Sequence, residues 1–179
     1  MNVIVRRQVS LAEFLAWERE QPESYEFDGT QPVLMNGGTL GHARMIAKVV
    51  DALRTRLTPD YEVFGSSIKV RTKPDRVRYP DVLVLRRGQS SDLDIIEPVV
   101  VFEVLSPSTA MTDLRVKPDE YALTPSIMAY VILPADGNDN LARHMLVLRR
   151  SNDWEAEHIG ASLDLPEIGV SIPNDVLIG

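Results

Sequence analysis

Val99-Val100-Val101-Phe102-Glu103-Val104-Leu105 is an apolar run with one carboxylate inside it. A short continuous run of this kind, rich in β-branched residues, predicts a strand buried on both faces. Side chains alternate along a strand, so Val99, Val101, Glu103 and Leu105 are expected on one face. An ion buried there without a partner costs more than one apolar side chain returns. A bound metal ion, a lysine or an open polar cleft would each offset that cost.

A second run, Tyr79-Pro80-Asp81-Val82-Leu83-Val84-Leu85, lies upstream and carries Asp81 near its start. If the two strands pair antiparallel in a short meander, the start of one lies beside the end of the other. Asp81 and Glu103 then converge at one edge of the sheet. Hard divalent cations such as Mg²⁺ take oxygen ligands of this kind and keep several waters. A metal so placed activates water and neutralises charge developing on a phosphate.

The rest of the chain reads as an α/β core. Ser10-Leu11-Ala12-Glu13 is a capping-box pattern, with Leu11, Phe14 and Leu15 at helical spacing behind it. Tyr25-Glu26-Phe27, the turn signal Asp28-Gly29 and Val33-Leu34-Met35 predict a small hairpin. Residues 41–57 predict a helix with Ala43, Ile46, Ala47, Val50, Leu53 and Leu57 on its buried face, ended by Pro59. Strands are expected near 61–70, 78–86 and 99–105, a helix over 112–123 and a strand over 127–133. Residues 136–140 form a turn signal, and 143–150 with 154–159 predict a closing hairpin. This order predicts a central mixed β-sheet flanked by helices, preceded by an N-terminal helix and hairpin.

Composition sets the outer limits. The 179 residues fit one domain, expected to span 1–179. Apolar content of 44% and charged content of 25% are those of a soluble globular protein. No apolar stretch is long enough for a membrane span, and the N-terminus lacks the apolar core of a signal peptide. The absence of cysteine rules out disulfides and thiolate metal sites, and suits the cytoplasm. A net charge of −7 argues against a general nucleic-acid binder, although bound cations would reduce it. Lys69, Arg71, Lys73, Arg76 and Arg78 gather just before Asp81, as a phosphate-facing rim or a solvated hairpin.

The ordered set of motifs resembles the PD-(D/E)XK nuclease superfamily, and more closely its Uma-type branch of restriction endonucleases, long catalogued as a domain of unknown function. The resemblance runs from Tyr25 to about Tyr130 and is carried by four stretches. These are Tyr25-Glu26-Phe27-Asp28-Gly29, then Met35 and His42, then Arg78-Tyr79-Pro80-Asp81-Val82-Leu83-Val84. The fourth is Glu103-Val104-Leu105-Ser106-Pro107-Ser108-Thr109, followed by Asp113, Lys117 and Tyr121. It implies a restriction-endonuclease-like fold and an Mg²⁺- or Mn²⁺-dependent endonuclease acting on DNA. Asp81 and Glu103 would be metal ligands, with the Val104 carbonyl a third, and Glu26 an auxiliary carboxylate. Lys117 would orient the attacking water and stabilise the transition state, and His42 would face the substrate.

The chain departs from the pattern at three points. The superfamily's lysine lies two residues after the glutamate, where this chain has Leu105. Lys117 on the following helix satisfies the Uma-type arrangement, with Lys69 on a neighbouring strand as a substitute. Pro118 directly follows Lys117, so either a new helical segment starts there or the helix kinks. The acidic and tryptophan residues that the branch carries around Ala129-Tyr130-Val131 are missing.

Plainer roles compete at each position. Asp81 could be a solvated strand-starter, Glu103 a glutamate paired with arginine, Glu26 a hairpin surface residue, His42 a capping histidine and Asp113 a support for a helix N-terminus. His144 and His158 have no ligand-spaced partner, and Ser106 and Ser108 have no histidine at motif spacing. Two further readings stay open: a catalytically inactive nuclease fold that binds a partner or dimerises, and a metal hydrolase of small phosphate esters. Homodimerisation is expected of an enzyme that must make two cuts in a duplex.

Overall fold

The computed structural model describes residues 9–35, 37–89, 96–135 and 145–178. The 136–140 turn signal and His144 lie outside them. Ser10 caps α1 (Leu11–Glu18): its hydroxyl accepts from the Glu13 N–H, and the Glu13 carboxylate accepts from the Ser10 N–H. This is the capping box expected from the sequence. β1 (Tyr25–Phe27) and β2 (Pro32–Leu34) pair antiparallel around a turn in which Gly29 takes a φ of 91°.

α2 (Leu40–Arg54) starts at Thr39, whose hydroxyl accepts from the His42 N–H. Its buried residues are Met45, Val49, Ala52 and Leu53, while Ala43 and Ala47 are exposed. The expected face is therefore rotated. Alanine fits an apolar pattern but offers little area, so burying Met45 and Val49 instead returns more free energy. Ile46, Val50 and Leu57 pack on the flank of this stripe.

Two runs expected as single strands are each divided. The run over 61–70 holds β3 (Tyr61–Gly65) and only the first residue of β4 (Val70–Lys73), and the run over 78–86 holds only the last residue of β5 (Arg76–Arg78) before β6 (Val82–Arg86). The chain leaves the large sheet after β3 and passes Ser67 at a φ of 120°. It forms the β4–β5 hairpin in a second sheet, then returns through Tyr79-Pro80-Asp81 into β6. Pro80 has no N–H to give a ladder, so pairing lapses there. Asp81 thus stands at the junction of two sheets.

The chain continues through β7 (Pro98–Leu105), α3 (Ala110–Arg115), α4 (Lys117–Ala122) and β8 (Ala129–Pro134). β9 (Leu146–Arg149) and β10 (Ala156–His158) form the closing hairpin, with His158 exposed on β10. β11 (Ser162–Leu165), β12 (Val170–Pro173) and α5 (Asn174–Ile178) follow, with no counterpart in the sequence reading. The large sheet has the order β10-β9-β8-β7-β6-β3, and the second sheet β2-β1-β5-β4. Within the large sheet β7 and β8 are parallel and every other pair is antiparallel, so the sheet is mixed as expected.

All eight residues of β7 are buried. Val100, Phe102 and Val104 pack with Met45 and Val49 on the α2 face, and Val101 and Leu105 pack with Tyr121 and Tyr130 on the α4 face. Val99 joins the α2 face, against expectation. The β6–β7 register shifts between Val84 and Leu85, and the extra residue breaks the alternation. Among the described residues no helix is long and apolar enough to cross a membrane.

Candidate active site

β6 and β7 pair antiparallel with Val82 opposite Phe102. Asp81, immediately before β6, is thereby brought to the Glu103 end of β7. Its Oδ2 accepts the Val104 N–H at 2.7 Å. In extended backbone a residue's N–H and C=O point to the same side, so the Val104 carbonyl also faces the Asp81 side.

Glu103 is 3% exposed, and its Oε1 accepts from Lys117 Nζ at 2.6 Å and from the Tyr121 hydroxyl at 2.9 Å. Lys117 is equally buried, with Nζ 3.0 Å from Asp113 Oδ1 and 3.6 Å from Glu26 Oε1. Of the partners open to Glu103 in the sequence, a lysine and a polar cleft are present together. The sequence names Tyr121 only as part of the family pattern, with no role for its hydroxyl. Its hydroxyl role needed the fold, although its spacing from Glu103 was already part of the family pattern.

The helix expected over 112–123 is two short helices. α3 stops at Arg115 and α4 starts at Lys117, with Pro118 in its first turn. A proline inside a continuous helix would lose a hydrogen bond and strike the preceding turn; at a helix start it costs nothing. The restart aims Lys117, Glu120 and Tyr121 inward together, because residues three and four apart share a face.

Glu120 is fully buried and anchors α4. It accepts from Arg78 Nε at 2.7 Å, from Arg78 Nη2 at 2.9 Å, from the Thr72 hydroxyl at 3.1 Å and from Arg76. Burial would raise the Glu120 carboxyl, but the Arg78 and Arg76 hydrogen bonds and charges outweigh it and hold it below the ordinary glutamate value. Arg78 Nη1 also donates to Glu26 Oε2 at 2.8 Å, so Glu26 is held from behind by the guanidinium. The basic hairpin is therefore neither a free rim nor fully solvated, since Arg78 is buried.

Lys69 ends elsewhere. It pairs at 2.6 Å with Glu18 on α1, which also accepts the Tyr79 hydroxyl. Lys69 does not line the cleft. The residue expected as a substitute for Lys117, or as facing substrate, is thus held by a buried carboxylate on α1, whereas Lys117 lines the cleft. Asp113 does not serve the helix N-terminus alone either, because it is 1% exposed and turned to Lys117.

Glu26, His42, Asp81, Glu103, Asp113 and Lys117 all line one cleft of about 600 Å³. His42 Nε2 lies 3.1 Å from Asp81 Oδ2. That hydrogen bond raises the imidazole above its ordinary value, against its partial burial. Gly38 lets His42 take this position, since a Cβ there would stand 2.6 Å from its Nδ1. Burial pushes the Glu103 carboxyl well up, with the Lys117 charge pulling the other way. Burial alone would lower Lys117. The charges of Glu103, Glu26 and Asp113 outweigh it and hold the ammonium above its ordinary range.

The donor set suits a hard divalent cation. Asp81 Oδ2 and Glu103 Oε1 are engaged by protein donors, whereas Asp81 Oδ1 and Glu103 Oε2 accept none among the described residues. Two carboxylate oxygens and a backbone carbonyl on one open cleft match the Mg²⁺ habit of few protein ligands and several waters. Among the described residues no three His, Asp or Glu side chains are grouped to cage an ion by themselves.

Residues 11–173 match the Uma2 family, described as "Putative restriction endonuclease". An uncharacterized protein of Synechocystis sp. is 30% identical over 95% of this chain and 91% of its own length. A second from the same organism is 25% identical over 74% of this chain and 78% of its own. A crystal structure of a "putative nuclease belonging to DUF820" from Anabaena variabilis aligns with a TM-score of 0.74. It covers 94% of this chain and 97% of that one at 16% identity, a likeness of fold.

Proposed function

The chain belongs to the Uma2 family, and from that premise we propose a metal-dependent endonuclease that hydrolyses DNA phosphodiester bonds. The observation that carries the reading is the meeting of Asp81, Glu103, Glu26 and Lys117 in one cleft, with Lys117 Nζ 2.6 Å from Glu103. Asp81, Glu103 and the Val104 carbonyl would hold Mg²⁺ or Mn²⁺, which supplies an activated water and charge neutralisation at the scissile phosphate.

The protein's own groups do the positioning. Lys117 stays an ammonium in its acidic surroundings, so it acts as a donor and a fixed charge rather than as a base. It orients the attacking water and offsets negative charge that grows on the phosphate oxygens. Tyr121 fixes the rotamer of Glu103, and Val104 and His42 fix that of Asp81. Glu26, steadied by Arg78, shares the ammonium and sets its direction. His42 is the side chain on the α2 wall that meets substrate.

On this reading the chain works as one domain over 1–179, in the cytoplasm, and as a homodimer that cuts both strands. A plasmid-cleavage assay with Mg²⁺ or Mn²⁺ tests it. Wild type should nick and linearise the plasmid, chelation should stop it, and Asp81→Ala should be inactive. Full activity in Asp81→Ala sinks the mechanism.

One observation favours a rival reading, a catalytically inactive relative that binds a partner. Lys117 Nζ already lies 2.6 Å from Glu103 Oε1 and neutralises that carboxylate without a cation. Calorimetry separates the two, because wild type that binds no Mn²⁺ supports the rival.

A further inference from the structure

Asp113 is the least satisfied group in the cleft wall. Both carboxylate oxygens are buried, and among the described residues neither accepts a hydrogen bond. Among the described residues its one ion-pair partner is Lys117, whose Nζ lies 3.0 Å from Oδ1 without the alignment of a hydrogen bond. A buried carboxylate left in this state is costly, and a purely structural aspartate would be fully paired.

Lys117 meanwhile makes its well-formed bond to Oε1 of Glu103, so that its charge stands beside the oxygen, Oε2, left for a cation. A lysine and a divalent cation drawn to one carboxylate oppose each other unless the lysine has somewhere else to go. Asp113 offers that place. It lies on α3, one turn before Lys117, and the break at Val116 leaves α4 separate from it. The ammonium can turn from Oε1 of Glu103 to the oxygens of Asp113 by side-chain rotation, with Glu26 3.6 Å away on the other side.

We propose that Asp113 is a positioning residue that receives the Lys117 ammonium when a divalent cation takes Glu103, so that lysine and cation share the cleft. The inference rests on the metal-dependent reading above and adds to it a defined exchange of partners. It explains why Asp113 lines the cleft together with Asp81, Glu103, Glu26 and Asp28, and why neither of its oxygens accepts a hydrogen bond among the described residues.

Two measurements on the full chain test it. The first is Mn²⁺ binding by calorimetry for wild type, Asp113→Asn and Asp113→Glu, each with its melting temperature. Asp113→Asn keeps the shape and removes the charge, so Mn²⁺ affinity should fall at least tenfold while the protein still melts cooperatively. Asp113→Glu should recover most of the loss. The second is a crystal structure of wild type soaked in Mn²⁺, in which Lys117 Nζ should be hydrogen-bonded to Asp113 and released from Glu103. Unchanged Mn²⁺ affinity in Asp113→Asn overturns the proposal, as does Lys117 still bonded to Glu103 in the loaded crystal. Wild type that binds no Mn²⁺ at all is a different failure, which removes the nuclease reading and this exchange with it.

Discussion

Asp81 Oδ2 lies 2.7 Å from the backbone nitrogen of Val104, so the carboxylate of one strand is fastened to the neighbouring strand beside Glu103. The two acids are thus held in register by a hydrogen bond from the Val104 main chain to the Asp81 carboxylate. Repulsion between them works against that bond and against the β6–β7 pairing beside it.

Asp81→Asn should separate chemistry from folding. An amide oxygen still accepts from the Val104 N–H, so the melting temperature should stay within a few degrees of wild type. The charge for the cation is gone, and plasmid cleavage should drop by about 10²–10³. A loss of thermal stability as large as the loss of rate would count against the assignment.

Lys117→Gln should be costly to the fold as well as to activity. It leaves Glu103 and Asp113 buried with no cation against them. Removing one partner of a buried pair costs about 3–5 kcal/mol, which urea unfolding would register as a lower midpoint at unchanged slope.

Glu120→Gln should show a pH signature. The folded carboxyl of wild type lies below its unfolded value. Its contribution is therefore full above the unfolded value and is lost as pH falls through the folded one. Wild type should be the more stable protein at neutral pH, and the gap should close on acidification below about pH 4. Urea midpoints of the two proteins across that range check the sign. A gap that widens in acid contradicts it.

Gly38→Ala should move His42. The added methyl group would meet the imidazole at 2.6 Å, so the ring must leave Asp81 or the loop must shift. Losing that hydrogen bond removes the cause that holds His42 up. Its titration midpoint, followed by proton NMR, should fall toward the ordinary histidine value.

Much of the site was legible before any coordinates. A single acid in the Val99 to Leu105 run announced its own cost, and Asp81 at the head of the preceding run supplied the partner. The antiparallel meander needed only the rule that neighbouring strands pair. What stayed hidden was long-range. Apolar periodicity reports inside or outside, not which of two sheets a residue joins, so the division at Ser67 and at Pro80 was missed. Lys69 and Lys117 looked alike because the choice depended on Glu18, a residue far away in sequence. The Glu120 and Arg78 pairing likewise joins positions with no local pattern between them. On α2 the pattern placed the stripe one residue off, since alanine counts as apolar without demanding burial.

The restart of the chain at Pro118 leaves Lys117 on a helix of six residues. So short a segment has no helical stability of its own. Its hold comes from Glu120 on the arginine clamp and Tyr121 on Glu103. Warming should therefore let this segment fray while β7 and its neighbours remain paired, and heat inactivation should set in below the temperature at which the sheet itself melts.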